Sequence, residues 1–293
     1  MSTSPFRRLT DQLVLTGMRP PTAPRMLLIR PASSRIDLEG KRVLLTGASS
    51  GIGEAAAEQF AQRGATVVAV ARRQDLLEAL AERITASGGT ALSCPCDLSD
   101  MDAIDILVAE VQNRLGGVDI LINNAGRSIR RPLAASLDRW HDVERTMVLN
   151  YYAPLRLMRG LAPGMIERGD GHIINVSTWG VLNEASPLFG AYNGSKAALT
   201  AITRVAETEW GHKGVHSTAL YYPLVATPMI APTKAYDGMP ALTAHEAAQW
   251  MVTAARTRPV QIAPKIAIAA KALNTVGPGW ANTLMRGRNS QST

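Results

Sequence analysis

In "AYNGSKAALT", residues 191–200, a tyrosine stands four positions ahead of a lysine. On a helix that interval puts Tyr192 and Lys196 on one face, where the ammonium can act on the phenol or share a ligand with it. A free tyrosine titrates at about 10 and is a weak base at neutral pH, while a neighbouring cation favours the phenolate. The pair can therefore exchange a proton with a carbonyl or alcohol oxygen. Alone, the pattern is common and usually marks two neighbours on a solvated helix, so its meaning depends on its surroundings. Fifteen residues upstream, "HIINVSTWG" carries a strand-like run to Ser177, whose hydroxyl could bond the same oxygen. Asn150, in "TMVLNYYAPL", lies within a helix-period stretch where asparagine is a poor helix former. It predicts a local break and a place for a water.

A second constellation is "VLLTGASSGIGEAAAEQF", which sets Gly47, Gly51 and Gly53 between a strand pattern and a helix pattern. Without Cβ atoms, such a loop lets backbone approach a pyrophosphate, and the helix N-terminus offers free N–H groups and a positive dipole end. A tight turn of no function is the bland reading. The next strand ends "VVAVARRQ", and its tip is where an adenosine ribose lies in a doubly wound sheet. An acid there would accept from a 2′-hydroxyl; the chain instead has Arg72 and Arg73, which suit a phosphate and favour NADP over NAD. A merely basic helix start would leave the missing acid unexplained. "NNAG", residues 123–126, ends a further strand with small groups able to lie against a ribose.

The elements that must position these residues are legible from residue 41 onward. Short β-branched runs ("RVLLTG", "TVVAVA", "TALSCP", "VDILINN", "HIINVS", "VHSTALYYP") alternate with helix-period segments at 53–63, 74–87, 100–115, 136–168 and 190–212. That alternation predicts an α/β fold, a single doubly wound Rossmann-type domain with a parallel sheet flanked by helices. The expected plan is an irregular N-terminal extension over 1–38, a catalytic domain over 39–256 and a partly helical C-terminal extension over 257–293.

Of the 293 residues, 46% are hydrophobic and the net charge is +7. Each end, 1–35 and 241–293, carries six Lys/Arg against one acid, so the total leaves −3 for the middle. A mildly acidic body argues against nucleic acid as a partner. Basic ends with interspersed apolar residues are either solvated tails or a peripheral contact with an anionic membrane surface. No apolar run reaches the ~18 residues of a span and no secretory leader pattern is evident, so a cytoplasmic protein is expected. Cys94 and Cys96 read as structural thiols, His172 as a structural histidine, and no ligand spacing suggests a metal. Trp179 could line a pocket or fill the core. Residues 229–239, punctuated by Pro and Gly, read as a mobile lid or a static loop.

Taken together, "TGASSGIG" at 46–53, "CDLSD" around Asp97, "NNAG" at 123–126, Asn150, Ser177 and "YNGSK" at 192–196 resemble the short-chain dehydrogenase/reductase family, in that family's order over residues 41–230. The resemblance implies a catalytic tetrad of Asn150, Ser177, Tyr192 and Lys196. Tyr192 would be the proton donor and Lys196 would hold the nicotinamide ribose and lower the tyrosine's pKa. Ser177 would position the substrate oxygen, and Asn150 would hold a water extending the relay through Lys196. It further implies cofactor contacts from Gly47, Ser49, Ser50, Gly51, Ile52, Gly53, Asp97, Leu98, Asn124, Ala125 and Gly126, and from Pro223, Val225 and Thr227. A homodimer or homotetramer follows from the same likeness.

"ERGDGHIINVSTWGV" and "PLVATPMIAPTKAYDGMPALTAHEAA", the latter at 223–248, resemble the reductase domains of bacterial fatty acyl-CoA reductases and their stand-alone relatives. This implies NADPH and a lipophilic carbonyl substrate, a fatty aldehyde or fatty acyl-CoA. Sterol, quinone or β-ketoacyl reduction and a non-catalytic NADP sensor or scaffold are the rival readings. The chain departs from the wider family in having Pro223-Leu224 for Pro-Gly and a longer serine-to-tyrosine interval, which would reshape the substrate mouth.

Overall fold

The structure, a computed structural model, describes residues 5–21, 35–183, 186–279 and 282–283. After helix α1 (Pro5–Met18) come β1 (Arg42–Thr46), α2 (Gly51–Ala61), β2 (Thr66–Ala71), α3 (Gln74–Ala86), β3 (Thr90–Pro95), α4 (Met101–Leu115) and β4 (Ile120–Asn123). The second half has α5 (Trp140–Met147), α6 (Ala153–Arg168), β5 (Gly171–Thr178), α7 (Trp179–Asn183), α8 (Gly190–Trp210) and β6 (Val215–Tyr222). It ends with β7 (Val225–Ala226), β8 (Leu242–Thr243), α9 (Ala244–Thr257), β9 (Gln261–Ile262) and α10 (Lys265–Val276). Seven strands form one sheet in the order β3-β2-β1-β4-β5-β6-β9, every neighbouring pair parallel. This is the doubly wound Rossmann-type sheet the alternation predicts.

A parallel sheet covered on both faces needs strands apolar throughout rather than alternating. Val43, Leu44 and Leu45 of β1 and Val67 through Val70 of β2 are fully buried accordingly. They divide between two cores. Val43, Leu45, Val67 and Ala69 pack with Phe60 of α2 and Met251 of α9, and Leu44, Val68 and Val70 pack with Leu157 and Met158 of α6.

Four stretches differ from the sequence expectation. Part of the N-terminal extension is helical, and Met18 at the end of α1 is buried in the α2–α9 core. The stretch 136–168 is not one helix: a five-residue π turn, Val148–Tyr152, separates α5 from α6 and centres on Asn150. The body runs past residue 256, since β9 pairs with β6 at Ala219↔Gln261 and adds the seventh strand. Helix α9 was also readable: Thr243 and Glu246 close a reciprocal capping box at its start. Among the described residues no helix is long and apolar enough to cross a membrane.

Candidate active site

A cleft of about 1310 Å³ opens at the C-terminal ends of the strands, where the sheet order reverses between β1 and β4. At one end lies the glycine loop. Gly47 has φ +70 and Gly51 φ +61, backbone that L side chains rarely adopt. A Cβ on Gly53 would fall on the Gly47 carbonyl oxygen, so the α2 N-terminus can approach the loop only without one. Ser49, Ser50 and Ile52 complete the cleft wall here. Thr227 lies across from the loop: a Cβ on Gly51 would stand 3.2 Å from its Cγ2.

The tip of β2 brings both expected arginines to this cradle. Arg73 Nη2 donates to Ser49 Oγ at 3.0 Å and to Ser50 Oγ at 3.1 Å. Arg72 is exposed on the cleft wall and acts electrostatically on Asp97. The Asp97 carboxylate accepts from the hydroxyl and the N–H of Ser99, which hold it below the usual range. Buried Leu98 lines the cleft beside it. Asn124 is spent on scaffold: its Nδ2 donates to the Thr46 carbonyl at 2.9 Å, while Thr46 Oγ1 accepts from the N–H groups of Asn124 and Ala125. The ends of β1 and β4 are thereby laced together under the cleft. Space, free helix N-terminus and cations fit a dinucleotide bearing an extra phosphate.

At the other end stand Tyr192 and Lys196, one turn apart on α8 and both lining the cleft. Burial pushes the Tyr192 hydroxyl up to about 12, against which a hydrogen bond with the Thr178 side chain pulls only partly. The lowering expected from Lys196 is therefore overruled by burial, and Tyr192 is a neutral phenol at physiological pH. Burial also brings Lys196 down to about 8, and its Nζ donates to the Val176 carbonyl at 2.8 Å. Gly126 lets these groups close in, since a Cβ there would stand 3.4 Å from Lys196 Nζ and 3.3 Å from Asn150 Oδ1.

Two hydroxyls stand at the end of β5 on the cleft, Ser177 and Thr178, and the latter pulls the tyrosine down against its burial. Successive strand residues face opposite sides, and Ser177 turns its Oγ to Thr200 of α8 at 3.1 Å. Thr200 Oγ1 in turn donates to the Lys196 carbonyl at 2.8 Å. Ser177 therefore braces the tyrosine helix through Thr200 while lining the cleft together with Thr178, Tyr192 and Lys196. Asn150 is likewise occupied. Its Oδ1 accepts from the Arg127 N–H at 2.8 Å, and its Nδ2 donates to the Arg127 carbonyl at 2.9 Å and to Ser195 Oγ at 3.0 Å. The break sits where asparagine predicts it, and the amide clamps the Arg127 loop to α8.

The mouth between these ends is apolar. Met229, Ile230 and Met239 line it from the segment between β7 and β8, opposite Trp179 and Phe189. Pairing of Val225 with Leu242 and Ala226 with Thr243 ties both ends of that segment, making it a flap. Pro223 and Val225 border the cleft at its root. The long serine-to-tyrosine interval folds as α7, which packs on α10; Trp179 both lines the cleft and packs into the core. His172 is fully buried, bonded to Thr218 Oγ1 at 2.8 Å and held well below its usual pKa by burial, so it is a structural residue. Cys94 and Cys96 are free and buried; burial pushes the Cys96 thiol up to about 11, far from a reactive thiolate.

A neutral phenol facing the far end of a phosphate cradle makes chemical sense where a dinucleotide brings its reactive ring to a carbonyl, which is the work of oxidoreductases. The chain belongs to the short-chain dehydrogenase family, whose model matches residues 41–238. It is 73% identical over 291 residues, 99% of both chains, to a Mycobacterium tuberculosis protein named fatty acyl-CoA reductase. It is 47% identical to the fatty acyl-CoA reductase of Acinetobacter baylyi over 86% of this chain and 85% of that one. Among solved structures, L-sorbose reductase of Gluconobacter frateurii, complexed with NADPH and L-sorbose, superposes with a TM-score of 0.67 at 27% identity over 80% of this chain and 94% of that one. A metagenomic short-chain oxidoreductase in complex with NADP gives 0.66 at 31% identity over 77% and 94%.

The two pKa values set a pH dependence. Tyr192 keeps its proton throughout the ordinary range, whereas the depressed pKa of Lys196 means that its charge is present below about pH 8 and lost above it. A pH profile of kcat/KM in the reducing direction, which reports groups of the free enzyme, should be level near neutrality and fall with a midpoint near 8. A limb only above about 10, the ordinary lysine range, would show that Lys196 keeps its charge.

Proposed function

We propose that the protein reduces the carbonyl carbon of a long-chain acyl substrate, a fatty aldehyde or fatty acyl-CoA, with NADPH. The carrying observation is Tyr192, its hydroxyl kept protonated at neutral pH by burial, one helical turn from Lys196 on a cleft that Ser177 and Thr178 also line. The names of the two curated relatives and the Met- and Trp-lined mouth support the substrate class. The NADP and NADPH complexes among the structural neighbours and the pair Arg72 and Arg73 support the cofactor.

In this reading Gly47, Ser49, Ser50, Gly51, Ile52 and Gly53 hold the pyrophosphate, with Arg72 and Arg73 on the 2′-phosphate. Asp97 and Leu98 border the adenine. Ala125, Gly126 and Lys196 border the nicotinamide ribose beside the Asn124 lacing, and Pro223, Val225 and Thr227 border the ring. When bound, NADPH supplies a hydride to the carbonyl carbon. Tyr192 releases its phenolic proton to the carbonyl oxygen, Thr178 Oγ1 holds that oxygen at hydrogen-bonding distance, and the Lys196 ammonium stabilises the phenolate left behind. Asn150 and Ser177 act by position, one fixing the Arg127 loop and the other the Lys196 turn.

The terminal helices suggest a lipid surface as the place of work. Gly17 of α1 packs under Ile266 of α10, and the pair exposes Leu9 and Leu13 (57% and 67%) on one side and Leu273 and Val276 (49% and 88%) on the other. Lys265 and Lys271 lie among the latter. We propose that this apolar and basic platform, whose Met18 reaches the cleft, rests on anionic membrane. The flanking Arg25, Arg30, Arg286 and Arg288 lie outside the described residues.

Tyr192→Phe should bind NADPH as before yet lose about 10² to 10⁴ in kcat, and full turnover would defeat the mechanism. Thr178→Ala should cost more in kcat than Ser177→Ala; the reverse order would return the role to Ser177. Arg72→Gln with Arg73→Gln should raise KM for NADPH at least about tenfold and leave NADH little changed, and an unaltered ratio would refute the phosphate assignment. Leu9→Asp with Leu13→Asp should weaken co-sedimentation with phosphatidylserine vesicles, and unchanged binding would dismiss the platform.

A further inference from the structure

Helix α8 is 21 residues long, yet of its buried side chains only Leu199 and Ala206 are apolar; Ser195, Lys196 and Thr203 are the others. Apolar contact is non-directional, so two such side chains hold a helix to a sheet without fixing its axial position. A row of hydrogen bonds along one stripe of the helix does that. Lys196, Thr200 and Thr203 follow one another at intervals of four and three residues, which puts them on one face. Strand β5 meets them with three consecutive residues. Lys196 Nζ donates to the Val176 carbonyl at 2.8 Å, Ser177 Oγ bonds Thr200 Oγ1 at 3.1 Å, and Asn175 Nδ2 donates to Thr203 Oγ1 at 2.8 Å.

The rung at Asn175 reaches beyond this helix and strand. Asn175 and Thr203 are each 1% exposed. Asn175 Oδ1 accepts from Asn123 Nδ2 at 2.7 Å, Asn123 being its register partner on β4. Thr203 Oγ1 donates in turn to the Leu199 carbonyl at 2.6 Å. From donor to acceptor, one chain of bonds therefore runs from the end of β4 through β5 into α8. Asn123 immediately precedes Asn124, Ala125 and Gly126, which lie beside the nicotinamide ribose in the reading above. Buried polar groups engaged in this way select one arrangement among those that apolar packing allows.

We propose that Asn175 and Thr203 are positioning residues for the reduction. They set the axial register of α8, and with it the place of the Tyr192 hydroxyl relative to the nicotinamide end of the cleft. Neither is among the residues that line the cleft, so both act through the helix. A displacement of about 1 Å at a reacting group can cost about 10² in rate, which lets a bond about three turns along the helix govern turnover. The proposal rests on the carbonyl-reductase reading above and adds residues that lie outside its site.

Thr203→Val keeps the side-chain volume and removes the hydroxyl, whereas Thr203→Ser keeps the hydroxyl and removes a methyl. With NADPH and a long-chain aldehyde, Thr203→Val should lose about tenfold in kcat with KM for both ligands little changed, and Thr203→Ser should stay within about twofold of the wild type. A packing role predicts the opposite order, and finding that order would overturn the proposal. Asn175→Leu should lose kcat as Thr203→Val does, and the double variant should lose little more than either; additive losses would separate the two residues and defeat the shared rung. Thr218→Val is the stability control, since it breaks an equally buried polar pair with His172 near the start of β5. It should lower Tm while kcat stands, and an equal fall in kcat would reduce the rung to general stability. A crystal structure of Thr203→Val with NADP⁺ reads the register without turnover: Tyr192 should move with α8 by about 1 Å, and an unmoved helix would overturn the proposal. Failure of the wild type to reduce any long-chain aldehyde would defeat the reductase reading, and the displacement would still decide the register.

Discussion

One buried amide holds the reacting end of the molecule together. Asn150 is fully buried in the π turn between α5 and α6, and its three hydrogen bonds reach both the Arg127 backbone and Ser195. Ser195 Oγ donates onward to the Tyr192 carbonyl at 2.7 Å. A single side chain therefore sets the distance between the loop after β4 and the helix that carries the tyrosine and lysine. Each partner left unsatisfied in that interior would cost about 1–3 kcal/mol, so the turn keeps its irregular hydrogen bonding because the amide makes it worthwhile. Irregular helical turns at functional sites commonly arise in this way.

The same economy governs the rest of the cleft. Gly53 marks a place where backbone comes too close for any side chain, and Gly126 one where the Asn150 and Lys196 tips leave a side chain little room. Thr46 and Asn124 spend their polar groups on joining the ends of β1 and β4. What remains for chemistry at the far end of the cleft is small: one phenol, one ammonium, the hydroxyls of Ser177 and Thr178 and a short list of cations. Burial then tunes the first two in opposite directions, raising Tyr192 and lowering Lys196, so that each is pushed toward its uncharged form.

Much of this was legible in the sequence because it rests on backbone periodicity and residue type. The glycine loop announces a strand-to-helix turn, Arg72 and Arg73 replace an acid at a known tip, and Asn150 is out of place in a helix. The presence of Thr178 beside Ser177 at the site was not legible, since side-chain facing reverses with each residue and the last facing residue of β5 is fixed by where the strand stops. The docking of α1 was hidden for another reason. Its pattern is amphipathic but brief, and whether Met18 finds a core depends on the distant α9 and α10. The two-residue strand β9 is too short to leave a periodic signal, and its pairing with β6 is a tertiary event.

The flap between β7 and β8 joins regions that the sequence keeps apart. Its first residue, Thr227, lies against Gly51 of the phosphate loop, while Met229, Tyr236 and Met239 cover the apolar mouth. The parallel pairing of Val225 with Leu242 and Ala226 with Thr243 ties its two ends together at the root. The phosphate loop and the apolar mouth therefore share one structural element, bordered at one end by Gly51 and at the other by Met239. The two ends of the cleft are thus joined through Thr227 as well as through the sheet beneath them.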